Sequence, residues 1–365
     1  MFSRLYRRYS LLTIPFAVGN TKDAALNYSQ SSANWRFGMH TDSALFLDPQ
    51  ESQIEELDRL FVKASVAQVH PSIRKWGAVA NEADLIEAQR ELIRSVVDES
   101  TPRRPAQTTP VFGLPRSSIT SRLVEIGGHR FIATLNFHGT AGEYPFICLS
   151  RSTIPAGTIR DWSPLKQRLL SRFAEFKPRA ILFFHPSHLP LNAETAGIDD
   201  HLLAAPARYM ADRPKARGFE RVDLKRSTVL DFYPRYKAIY KATYAERPEL
   251  RGEVRTETEE SLAYCLKEGF LFEIIVDGKW AGVVAAKWRT LVGIRGVFMV
   301  EIVLSPEVRG QSLGPAVHQI FAGAVASVEP AAVIIGTIWT KNYWSLQAAL
   351  RAGRTEIGAW HWVEL

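Results

Sequence analysis

From residue 227 to the end of the chain, apolar positions recur with two different periods, and their order predicts a mixed sheet with helices packed on it. Residues 233–246 (YPRYKAIYKATYAE) set aromatic and apolar side chains at helical spacing, and 259–267 do so again before Gly269. Strand-like runs follow at 271–276 and 280–288. The intervening Asp277-Gly278-Lys279 is a hairpin signal, because Asp-Gly readily adopts the positive φ of a tight turn. A further strand is expected at 297–304, then a helix over 313–328 with Leu313, Val317, Ile320, Phe321, Ala324 and Val325 on one face. An apolar strand at 332–339 precedes a helix capped by Asn342 and ended by Gly353, and a strand at 356–363 closes the chain. The predicted order is α-α-β-β-β-α-β-α-β, an α/β mixed sheet.

The preceding residues run through a similar order. Helices are expected at 54–69 and 85–97, a hairpin at 123–126 and 130–137 around Gly127-Gly128, and a strand at 146–150. A helix at 165–176, a strand at 180–185, a helix at 201–210 and a strand at 219–224 complete it. The hairpin glycines Gly128 and Gly278, and the prolines Pro178 and Pro330, recur in nearly the same register. Gly218 then matches Gly353 only if the first copy carries an insertion near 190–205, and the Pro/Thr/Arg-rich stretch 100–116 adds residues before the first hairpin. Two tandem units are expected, 1–225 and 226–365, the alternative being two unrelated α/β domains that share an element order.

Composition is that of an ordinary globular chain. Of 365 residues, 46% are hydrophobic and 23% charged, enough for two cores without covalent staples. The two cysteines, Cys148 and Cys265, form no CxxC pair, which argues against a thiolate zinc site or a disulfide framework and fits a reducing cytoplasm. The formal charge of +7 favours anionic partners. No dense Lys/Arg block marks a nucleic-acid arm, so an anionic cofactor is the expected partner and nucleic acid is not. Near the N-terminus the apolar run 11–18 is too short to span a bilayer and contains Pro15; it is expected to be a first strand or arm, with an export or organelle signal as the alternative. No membrane partner is expected.

The chemistry concentrates in Glu301-Ile-Val-Leu-Ser-Pro-Glu-Val-Arg-Gly-Gln-Ser-Leu-Gly314, where a strand ending at Leu304 runs through a short loop into a helix. Glycines let backbone N–H groups approach a ligand, and the helix N-terminus adds unpaired donors and a positive dipole end, a cradle for a pyrophosphate. Arg309 adds charge at its edge. This string resembles the acetyl-CoA signature of the GNAT superfamily, [Q/R]-x-x-G-x-[G/A], in Arg309 and Gly314; Ser312 replaces the middle glycine and is expected to hold the loop without positive φ. Asn342, Ser345 and Gly353 resemble that family's later motif. The resemblance covers about 227–365 and implies a direct transfer of an acyl group from acetyl-CoA or another acyl-CoA to a small-molecule or peptide amine, with no metal.

It further implies a cofactor-binding set of Ile302, Val303, Leu304, Arg309, Gly310, Gln311, Ser312, Leu313, Gly314, Asn342 and Ser345, with the Leu304 N–H as oxyanion donor. Glu301, on an otherwise apolar strand, is the candidate general base, since burial raises a carboxyl pKa. The tyrosine that serves many members as general acid would fall at Ala349, which leaves Tyr343, Ser345 or water to protonate the thiolate. Arg354 stands at the family's phenylalanine. In the first copy the loop 150–161 (SRSTIPAGTIRD) lacks the glycine pattern, so that half is expected to shape the substrate cleft or stabilise the fold. His185 and His188 lack a third metal ligand. His318 reads as packed or solvated, and Trp339, Tyr343 and Trp344 as lining of an acceptor pocket or as core. Alternatives are a tRNA-dependent aminoacyl transferase of the same fold and a non-catalytic acyl-CoA-binding module. A monomer or homodimer is expected.

Overall fold

The computed structural model describes residues 49–97, 121–138, 144–250, 254 and 256–365. The expected arm at 11–18 and the stretch 100–116 lie outside them. The first half comprises α1 (Pro49–Ala67), α2 (Pro71–Lys75), α3 (Glu82–Val97), β1 (Ser121–Ile126), β2 (His129–His138), β3 (Tyr144–Ser152), α4 (Ser163–Arg172), β4 (Ala180–Pro186), β5 (Gly197–Pro206), α5 (Ala207–Ala211) and β6 (Val222–Arg226). The second comprises α6 (Tyr233–Glu246), α7 (Glu259–Lys267), β7 (Leu271–Val276), β8 (Lys279–Leu291), β9 (Ile294–Leu304), α8 (Gly314–Val328), β10 (Val333–Trp339), α9 (Tyr343–Arg351) and β11 (Thr355–Glu364). Among the described residues no helix is long and apolar enough to cross a membrane.

All eleven strands join one mixed sheet in the order β1-β2-β3-β4-β11-β5-β10-β9-β8-β7-β6. Its centre is a reciprocal strand exchange. The last strand, β11, pairs antiparallel with β4, while β5 pairs antiparallel with β10. β11 and β5 also pair with each other, so β11 flanks the first half's parallel pair, β3–β4, and β5 flanks the second half's, β9–β10.

Three expectations change here. Residues 201–210 are mostly strand β5, not helix. Leu202, Leu203, Ala204 and Ala205 are each at most 1% exposed, and a strand covered on both faces loses the alternation that distinguishes it from a buried helix. β5 is therefore the counterpart of β11, and Gly218 is not the counterpart of Gly353. The first copy carries no insertion there: a loop at 187–196 stands where the second has α9. The strand expected at 219–224 begins with a 3-10 turn, Phe219–Arg221; the strand proper, β6, pairs with β7 at the sheet edge of the second half.

Two polar ties cross the exchange. His201 Nδ1 meets Glu356 Oε2 at 2.5 Å between β5 and β11. Arg354 Nη2 donates to the carbonyls of Leu203 (2.9 Å) and Gly336 (3.0 Å), joining β5 to β10 from beneath. Gly336 is required for this close approach, since a Cβ there would lie 2.7 Å from Arg354 Nη2. Burial lowers the Arg354 pKa to about 9, and both burial and that guanidinium push His318 down to about 3. His318 is thus a packed, neutral imidazole.

Candidate active site

The site forms where β9 and β10 part. The parallel ladder holds Val297 to Ile334 and Phe298 to Ile335, and no pairing follows. At that point β9 is bulged: β8 pairs Ala285 with Glu301 but Ala286 with Met299, leaving Val300 over. A bulge adds local twist, which carries the C-terminal part of β9 away from β10.

The ladder to β8 fixes which backbone groups face the gap. The Ser305 N–H donates to the Ala281 carbonyl at 2.7 Å. Hydrogen bonding toward one antiparallel neighbour alternates along a strand. Val303 and Glu301, opposite Val283 and Ala285, therefore also bond to β8. Ile302 and Leu304 turn their N–H and C=O toward the gap. The Ile302 N–H serves the Glu301 carboxylate, and the Leu304 carbonyl accepts from Arg309 Nε at 2.8 Å. The Leu304 N–H faces the gap between β9 and β10.

Glu301 sits on the face covered by α6. It is 8% exposed, and its Oε2 accepts from Tyr236 (2.5 Å) and Tyr240 (2.7 Å). Burial raises its pKa to about 7, against the pull of both hydroxyls. Burial and the adjacent carboxylate push both phenols well above their ordinary range. One turn further along α6, Thr243 Oγ1 accepts from Arg309 Nη2 at 2.8 Å. A single helix thus braces both the carboxylate and the entry to the loop. The tyrosines at 233, 236, 240 and 244 form a continuous ring ladder, with centroids 5.3 to 5.8 Å apart. Sequence reasoning read these only as helical aromatics. Their three- and four-residue spacing opposite a strand with one buried carboxylate is the signal that could have assigned Tyr236 and Tyr240.

The loop after β9 is exposed from Gly310 to Ser312. Among the described residues, the N–H groups of Gly310, Gln311, Ser312 and Leu313 find no backbone acceptor. Gly314 opens α8 and Pro315 has no N–H, so the turn presents a run of free donors at a helix N-terminus. Ser312 corrects the expectation that it avoids positive φ: it stands at φ 62, beyond Gly310 at φ 75. The turn needs the left-handed conformation wherever the amides converge, and a small side chain tolerates it at some energetic cost. Leu313 is buried and fills the space left by Gly218, where a Cβ would lie 2.6 Å from it. Only its backbone can face a ligand. Gln311 is tied to Arg221 (2.9 Å) and to the Glu307 carbonyl (3.0 Å).

Asn342 begins α9, but its side chain forms no cap hydrogen bond, contrary to the expected cap; its ψ of 60 lies outside the extended geometry that aims a capping oxygen at the helix. The Asn342 carboxamide therefore remains available. Ser345 is half-buried on the first turn of α9; Tyr343 and Trp344 are exposed, and Ala349 is fully buried.

In the first half, the loop matching the cradle is filled by protein. Ala156 and Gly157 are buried, and a Cβ on Gly157 would lie 2.4 Å from His185 Nδ1. His185 Nε2 lies 3.1 Å from the Leu189 carbonyl, while the His188 ring stands edge-on to His70. Among the described residues no three His, Cys, Asp or Glu side chains converge to hold a metal.

Two helices before a three-stranded antiparallel run, a bulged strand, a diverging parallel pair and an amide-rich turn into a helix define the fold. It is an α/β mixed sheet, as the resemblance to the GNAT acyl-CoA N-acyltransferases implies. No family model and no curated protein matches the chain. Solved structures similar to it include a tandem GNAT protein from the clavulanic acid biosynthesis pathway, 14% identical, covering 87% of this chain and 96% of that one at a TM-score of 0.47. Another is a GNAT-family acetyltransferase from Colwellia psychrerythraea, 11% identical, covering 79% and 98% at 0.44. A third is a GCN5-related N-acetyltransferase from Kribbella flavida, 13% identical, covering 67% and 89% at 0.40.

Proposed function

We propose that this chain is an acyl-CoA-dependent N-acyltransferase acting on a small-molecule or peptide amine. The observation that carries the reading is the pairing of two open backbone features. Free amides at 310–313 suit a diphosphate, and the Leu304 N–H opens into the gap between β9 and β10. A thioester lying between them would present its carbonyl to the Leu304 N–H while the diphosphate rests on the loop.

Glu301, raised to about 7, accepts the proton that the attacking amine must lose, directly or through a water. Tyr236 and Tyr240 hold its acceptor oxygen in place. Arg309 braces the loop through Leu304 and Thr243. The departing thiolate takes its proton from Ser345, Tyr343 or solvent, because Ala349 offers no hydroxyl. That buried alanine favours one second reading, a binding module without turnover.

Thermal-shift titration with acetyl-CoA and longer acyl-CoAs, followed by thiol release with a panel of amines, separates the two. Stabilisation with amine-dependent thiol release supports the transferase, and stabilisation alone supports the binding module. Absence of any acyl-CoA effect refutes both.

A further inference from the structure

The strand exchange brings a second buried carboxylate to the open end of the site. Asp200 lies on β5, directly opposite Trp339 at the C-terminal end of β10. Along β5 its face is that of Leu202, which packs in the same cluster as Ile335 and Phe298. Glu301 stands on that face too: Phe298 and Glu301 flank the bulge at Val300, and an extra residue restores the facing.

On its other side β5 meets β11 through a register shift. Ala359 pairs with His201 and His361 with Ile198, so Trp360 lies opposite the Asp199–Asp200 bulge. Trp360 belongs to the same cluster as Leu202. Asp200 is thus flanked by Trp339 and Trp360, one on each neighbouring strand.

Asp200 is 6% exposed, and no donor among the described residues hydrogen-bonds its carboxylate. Burial raises its pKa, opposed by the adjacent His201. A carboxylate buried without a donor is costly unless a cation completes it. Indole faces favour the same kind of ligand, and Trp339 already receives Lys341 Nζ at 5.5 Å. Two other cations near this face, Lys287 and Arg289, pair opposite Phe298 and Gly296, at the closed end where β9 and β10 are still joined.

We infer that the acceptor carries a second cationic group besides the reacting amine, and that Asp200, between Trp339 and Trp360, receives it. The inference rests on the acyltransferase reading. β5 and β11 are the exchanged strands, so the first half supplies the carboxylate and the second the thioester cleft. β9 and β5 are separated by β10, two strand spacings or ~10 Å before divergence is counted. The two cationic groups must therefore be joined by an extended chain, as in a long diamine or polyamine.

1,8-Diaminooctane and n-octylamine match in length and apolar area and differ in the second charge. With acetyl-CoA saturating, the full chain is expected to show a KM for the diamine at least about tenfold below that for the monoamine, the size of a charge-assisted contact. Asp200→Asn should raise the diamine KM to the monoamine's value, leave the monoamine KM unchanged, and change kcat little. Equal KM values for the two amines in the wild-type chain would overturn the inference without any variant. So would an Asp200→Asn protein whose KM shifts equally for both. If no amine is turned over, calorimetric binding of the two amines to CoA-loaded protein decides: diamine preference lost in Asp200→Asn supports the site, and no preference overturns it. Failure of acetyl-CoA to stabilise the wild-type chain would instead count against the acyltransferase reading itself.

Discussion

Replacing Glu301 by Gln keeps the shape of the side chain and removes its charge. In the folded chain the Glu301 pKa is raised from 4.5 to about 7 by burial. A raised acid contributes stability that is fully present below its unfolded pKa and is lost as pH rises through the folded one. Glu301 therefore favours folding below pH 4.5 and disfavours it progressively up to about 7. At 1.36 kcal/mol per unit, the ionised side chain costs ~3 kcal/mol above that window. Gln also donates two N–H bonds where Ile302 offers a third donor, a mismatch of ~1–3 kcal/mol that does not vary with pH. The difference in stability between Glu301→Gln and wild type should consequently move in favour of the variant by ~2–3 kcal/mol between pH 5 and pH 8. Denaturant unfolding of both proteins at several pH values measures it, and Asp200, present in both, cancels. A difference that stays flat across that range would refute the buried, uncompensated carboxylate. At every pH the variant should have lost most of its amine-dependent thiol release, because the proton acceptor is gone.

Three further outcomes follow from the geometry. Tyr240→Phe removes a hydroxyl that favours the charged carboxylate; losing ~1.5–3 kcal/mol raises the Glu301 pKa by ~1–2 units. The acidic limb of the kcat/KM profile should move up accordingly and activity should recover at high pH, whereas a uniform loss would argue against Glu301 as base. Gly282→Ala places a Cβ 2.0 Å from the Val303 carbonyl at φ 152, so β8 and the end of β9 must separate; unfolding experiments should show a loss of at least ~3 kcal/mol. Ser312→Val puts a β-branched residue at φ 62 and should weaken acetyl-CoA binding about tenfold in thermal-shift titrations, while Ser312→Gly should not; equal affinities for the two would show that the left-handed turn is not needed for binding.

Much of the second half was legible because its periods are unambiguous. The helices at 233–246 and 259–267 end where the sequence predicts, and the Asp277-Gly278 turn joins two strands whose buried faces show in their composition. The first half was harder at β5. The run Leu202-Leu203-Ala204-Ala205 is flanked by β10 and β11, strands far along the chain, and is buried on both faces, and no local pattern encodes those partners. The site divides in the same way. Arg309, the glycines and Leu304 could be read from a contiguous string. The tyrosines that seat Glu301 lie some sixty residues before it, and Asp200 reaches the site only through the exchanged strand. Ser312 was misjudged because steric preference argues against positive φ, while convergence of the loop amides requires it.

Two carboxylates with raised pKa values on one sheet face would be a poor choice for stability alone, since each disfavours the folded state at neutral pH. The strand exchange offers a physical reason why the fold can bear them. β5 and β11 make three long ladders, to β10, to β4 and to each other, so the centre of the sheet is assembled from both halves at once. Neither carboxylate can be relieved by fraying one edge. Such over-determined positions are where unfavourable electrostatics can persist and be put to use in catalysis or binding. Glu301 would spend that strain on proton transfer, and Asp200 on holding a cation whose arrival neutralises it.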